Sequence, residues 1–140
     1  MLIMKASISF SEIQDYVLTR FNKPLSINYA NDSSVVVDVP FTVFGFTKSI
    51  GITVSVLKIE GDDVYLSYSG PMGVDLLVPP AISFVKKFAP DKADFVTTLP
   101  DKVVKISLGA IPQAQAALKY VELKAISFLQ DKVEAEVALR

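Results

Sequence analysis

Asp62-Asp63 and the run Asp91, Asp94 and Asp101 are the groups in this chain that could move a proton or hold a metal, because histidine and cysteine are both absent. With those two residues go the imidazole base that works near neutral pH, the thiolate nucleophile, the soft metal ligands and any disulfide. Adjacent acids after a glycine read as a hairpin turn, and Asp91 reads as a helix cap. Neither set has the separation or the partner that acid/base or metal chemistry requires. No histidine stands ready to activate a serine, and there is no G-x-S-x-G elbow. The glycines at 45, 51, 61, 70, 73 and 109 fit neither the G-x-G-x-x-G nor the P-loop spacing. The expectation is a protein that is not an enzyme, with no catalytic residues, no metal and no cofactor.

What remains is recognition of apolar matter. Phe41, Val43, Phe44 and Phe46 break the alternation of a half-buried strand, so both faces would carry large apolar groups. Either a bulge at Gly45 turns the three aromatics inward, or they line a cavity or an interface. Arg20, the one arginine before the C-terminus, lies close to an apolar helical stripe and could hold a carboxylate or phosphate headgroup. The same position also suits a snorkelling cation favoured by the helix dipole. Lys86 and Lys87 read as the wet side of a later helix.

These side chains need elements to position them. Ser9 and Ser11 each begin a Ser-x-x-Glu/Gln pattern with Glu12 and Gln14, so a capped helix is expected over about 11–22, ended by Asn22-Lys23-Pro24 and preceded by a short strand at 4–9. Beyond Pro24 the period changes from 3.6 to 2. Leu25, Ile27 and Tyr29 alternate, then Val35, Val37 and Val39, across a turn at Asn31-Asp32, where the Asn-Asp-Ser triplet reads as turn chemistry. Strand-like sequence continues to Ser69, with a turn at Gly61-Asp62-Asp63. Val74, Leu77, Val78, Ala81, Val85 and Phe88 then fall within about a 100° stripe. Pro79 and Pro80 project away from it. The expectation is one long helix over 74–88, kinked at the prolines, although a helix starting there with proline in its first turn fits the same residues. A weak helical turn is expected over Asp91–Thr98, then a strand at Val104, Ile106 and Leu108, an Ala-rich helix from Pro112 to about Lys119, and two strands, 120–129 and 132–139, pairing across Gln130-Asp131.

The fold class expected is α+β: a curved, mainly antiparallel sheet wrapped around one long Pro-kinked helix, in a single domain of residues 1–140. Lys and Arg number 14 against 15 Asp and Glu, a formal charge of −1, which provides no basic field for nucleic acid. Apolar residues make up 51% and the mean hydropathy is +0.41, yet no run approaches the ~18 residues of a membrane span. The N-terminal Met1-Leu2-Ile3-Met4-Lys5 is too short for a signal-peptide core, so the location expected is cytoplasmic.

The order of elements, from the Ser-x-x-Glu-Ile helix through long antiparallel strands and an apolar helix to Leu99-Pro100, Ile111-Pro112 and a closing strand pair, resembles half-domains of the tubular lipid-binding (TULIP-like) superfamily. That resemblance implies a sheet wrapping a helix with an acyl chain between them. Two functions follow as expectations. The first is binding of an apolar small molecule or lipid between Leu77, Val78, Ala81 and Val85 on the helix and Phe41, Val43, Phe44 and Phe46 on the sheet, with Arg20 at a headgroup and contact with a membrane surface. The second is an interaction module whose apolar surface is closed by a homodimer or by another protein.

Overall fold

The computed structural model describes residues 2–71, 73–88 and 94–140. Strand β1 (Ile3–Ser9) runs straight into helix α1 (Phe10–Phe21). Of the two capping patterns, Ser9 with Glu12 closes the box: Ser9 Oγ accepts from the Glu12 N–H at 3.0 Å, and Glu12 Oε1 accepts from the Ser9 N–H at 3.2 Å. Gln14 does something else. Its Oε1 accepts the Ile27 N–H at 2.7 Å, fastening α1 to the edge strand of the main sheet and occupying a donor that an edge would leave bare.

That sheet has six strands in the order β2-β3-β4-β5-β7-β6. They are β2 (Ser26–Asn31), β3 (Ser34–Val43), β4 (Phe46–Glu60), β5 (Asp63–Ser69), β6 (Val96–Leu99) and β7 (Val103–Ser107). All neighbours are antiparallel. The expected hairpin turn is present, with Asn31 Oδ1 accepting the Ser33 N–H at 3.0 Å. Register places Val35, Val37 and Val39 opposite Val54, Ile52 and Ile50, so the valines of period 2 share one face. The helical turn expected over 91–98 is corrected where it is described: Val96–Leu99 is strand β6, paired to Val103–Ile106. Val96, Thr97 and Thr98 are β-branched and fit a pleated surface better than a helix. Residues 91–93, the proposed cap among them, lie outside the described residues.

Helix α3 (Pro112–Leu118) follows, then β8 (Val121–Phe128) and β9 (Lys132–Leu139). These two strands join β1 in a three-stranded antiparallel sheet, β1-β9-β8. The sheets are linked where the Phe128 N–H reaches the Asp32 carbonyl at 2.8 Å and the Arg140 guanidinium reaches Asp62 at 3.1 Å. Asp62 is therefore more than a solvated turn acid. It is half of an ion pair between a turn of the main sheet and the end of the last strand.

The expected long helix is corrected too. Residues Val74–Leu77 and Lys86–Phe88 are 3-10 turns, and only Val78–Val85, helix α2, is α-helical. At 12 residues α1 is the longest helix among the described residues. The prolines explain the division. Pro79 and Pro80 have no N–H with which to continue an incoming α-helix, but they stand in the first turn of α2, where an N–H has no intrahelical partner anyway. The mixed α and antiparallel β character holds; a sheet wrapped around one long helix does not, since α1 and the short α2 each meet one face of the main sheet.

Two apolar clusters form on that face. Phe10, Val35 and Phe128 are buried together, with Ile27, Val37, Val54, Val56 and Val133 packed around them. Phe95 and Val96 form the second, with Ile82, Val104, Ile106, Ala110 and Ile111.

Candidate functional site

Between these clusters the face is not filled. A cavity of about 320 Å³ lies there, floored by Val37 and Val39 of β3, Ile52 and Val54 of β4, Leu66 and Tyr68 of β5, and Val104 and Ile106 of β7. Its roof is Val74, Leu77, Val78, Ala81, Ile82 and Val85. Val37 and Val54 belong at once to the first cluster and to the floor, and Ile82, Val96, Val104 and Ile106 at once to the second cluster and to the lining. The space is a gap left between two packed regions of one sheet.

The amphipathic stripe of 74–88 explains why the gap survives. A stripe packed on a sheet would be buried, yet α2 has no buried residue: Val78, Ala81 and Val85 face the gap, while Ile82 packs beside Phe95 and Val96. Those three are also short, two valines and an alanine, with Leu77 just before them. The helix is held at both ends. Before α2, Val74 is buried and sits so close to Gly70 that a Cβ there would meet Val74 Cγ2 at 2.9 Å. On α2 itself, the Phe84 ring meets the Phe21 ring of α1 edge-on, centroids 5.1 Å apart at 74°, a favourable aromatic geometry. Ala81 and Val85 line the cavity and remain exposed, so it opens to solvent beside them.

Behind Tyr68, outside the cavity's lining, lies a polar cluster. Tyr68 lines the cavity, and its hydroxyl donates to Asp75 Oδ1 at 3.1 Å, while Lys102 Nζ donates to Asp75 Oδ2 at 2.9 Å. The Lys102 hydrogen bond and then that of Tyr68 hold the Asp75 carboxyl below the usual carboxylate range, and the bond to Asp75 pushes Lys102 up. Tyr68 is pushed up by desolvation first and by its bond to Asp75 second. Lys102 is presented by a turn in which Asp101 and Lys102 have φ of 64° and 61°.

Of the sequence-predicted site residues, Leu77, Val78, Ala81 and Val85 meet at this cavity. Arg20 does not. It stands exposed in the last turn of α1, where its charge suits the helix dipole. Phe44 and Phe46 do not line the cavity either, and no bulge turns them inward. Val43 pairs with Phe46, so Phe44-Gly45 is a two-residue turn at a hairpin tip, with Phe44 95% and Phe46 73% exposed. The side chains of Phe41, Val43 and Phe88 lie outside the described residues. The sequence reading missed the strand half of the site. Val37, Val39, Ile52 and Val54 were visible as an alternating face, but nothing local marks an alternating face as the floor of a void. The Tyr68, Asp75 and Lys102 cluster was missed because it joins three separate turns and strands. Among the described residues, no group of acids is placed to hold a metal, and no helix is long and apolar enough to cross a membrane. No family model, no curated protein and no solved structure matches the chain.

Proposed function

We propose that this protein is a non-enzymatic binder of an apolar, lipid-like ligand, held between α2 and the six-stranded sheet. The observation that carries the reading is the cavity itself: about 320 Å³, lined almost wholly by aliphatic side chains, at the lower end of the ~300–1,000 Å³ of small-molecule sites. A void bounded by so many valines and isoleucines forgoes dispersion contacts that a well-packed core would make, and an aliphatic chain would restore them. The tubular lipid-binding resemblance points to the same ligand class.

Binding of a fluorescent fatty-acid analogue, with native mass spectrometry to count bound molecules, tests this. One probe molecule per chain is expected, with Ala81→Phe weakening binding at least about tenfold by filling the opening with a ring. Absence of probe binding, or equal binding by Ala81→Phe, would overturn the reading.

A further inference from the structure

Strands β3 and β4 continue past their neighbours. Strand β2 leaves β3 at Asp38, and β5 leaves β4 at Thr53, whereas β3 and β4 remain paired through Val39–Ile50 out to Val43–Phe46. The last pairs form a two-stranded arm with no strand on either side among the described residues. Its tip carries Phe44 and Phe46, the former almost fully in water. Phe44 also has φ of 52°, a left-handed conformation that a bulky residue adopts only at a cost. Asn or Gly would serve that turn better, and the ring's near-complete exposure means that little contact within the chain offsets the strain. The arm's surroundings are chemically one-sided. Between Asp38 and Glu60 there is no acid, and the arm's one charge is Lys48, exposed and opposite Phe41 in the register.

We propose that this arm is a membrane-interface anchor, with Phe44 and Phe46 entering the headgroup region of a bilayer and Lys48 meeting the lipid phosphates. A few apolar rings with a cation set behind them is the pattern that partitions to such an interface. A protein partner or a second copy fits less well. A stable protein interface takes about 20–30 residues from each side, and the arm runs only from residue 39 to residue 50. The strands that form the arm also supply Val37, Val39 and Ile52 to the cavity floor, so a docked arm sets the cavity beside the membrane. That last step rests on the ligand reading; the docking does not.

Flotation of the purified protein with vesicles, of phosphatidylcholine alone or mixed in equal parts with phosphatidylglycerol, tests the proposal. The wild type should float with both and more completely with the anionic mixture. The double variant Phe44→Asn/Phe46→Thr, whose residues suit a left-handed turn and a strand, should keep its circular dichroism spectrum and lose at least about tenfold in partitioning. Lys48→Glu should lose binding chiefly to the anionic vesicles, and Ala81→Phe should float like the wild type. Wild-type protein that stays with the solvent overturns the proposal, as does a double variant that floats equally well. So does a dimer that the double variant dissociates without vesicles, or a loss of flotation in Ala81→Phe. A wild type that floats yet binds no fatty-acid probe leaves the anchor standing and removes the ligand reading.

Discussion

Phe44 is held at φ of 52° beside Gly45 at 81°, the pair of positive values that a two-residue hairpin turn of this hand requires. Left-handed geometry costs a non-glycine residue roughly 1–3 kcal/mol. Phe44→Asn should therefore raise stability by about 1 kcal/mol, read as a higher urea midpoint at unchanged slope. In the 3-10 turn before α2, Asp75 titrates below the usual carboxylate range because Lys102 and Tyr68 bond its ionised form. Its contribution to stability is complete above the ordinary carboxylate pKa and is lost as pH falls through the lowered one. Lys102→Met should move the Asp75 midpoint upward in a carbon-13 NMR titration and flatten the acid limb of the stability curve. Both groups are well exposed, so the change should be small. Neither residue was legible as a site in sequence. Asp75 and Lys102 are 27 positions apart, and a lone acid and a lone lysine at that distance read as solvated surface.

At the scale of elements, α1 was read nearly whole, since a capping box and a proline stop are written in neighbouring residues and cap geometry is local. The bond from Ile27 to Gln14 was not, because it joins a helix to a strand that begins only after the intervening turn. Gln14→Leu should cost about 1 kcal/mol in chemical denaturation by leaving the part-buried Ile27 N–H without its acceptor. The stripe of 74–88 shows the opposite balance. Its periodicity identified a helical stretch with an apolar face, but two prolines allowed either a kink or a start. What decided for a start was the backbone: both rings stand in the first turn of α2, after a 3-10 turn seated at Gly70. The weak helix expected after residue 90 failed for a related reason. Val96–Leu99 becomes a strand by pairing with β7, which its β-branched residues suit.

Across the whole molecule the apolar residues do not share one fate. Phe128 is buried in a packed cluster, and Phe128→Ala should cost about 3–5 kcal/mol. Ile52 faces the cavity, so Ile52→Ala should fall at or below the low end of the ~2–5 kcal/mol expected of a packed isoleucine, since part of its surface already lacks partner atoms. Equal losses in urea denaturation would mean that the cavity is closed in solution. The sequence by itself determined the periods, and hence the antiparallel strands, the capped helix and the small helix from Pro112, because capping, turn chemistry and alternation act between residues a few positions apart. Where the apolar side chains go was decided only in three dimensions. Val37, Ile52, Ala81 and Val104 meet around a void, and Phe44 and Phe46 end in water, because the register of β3 on β4 and the spacing of two packed clusters fix which apolar faces find one another. Register and layer spacing are sums over the whole sheet, and no short stretch of the chain carries them.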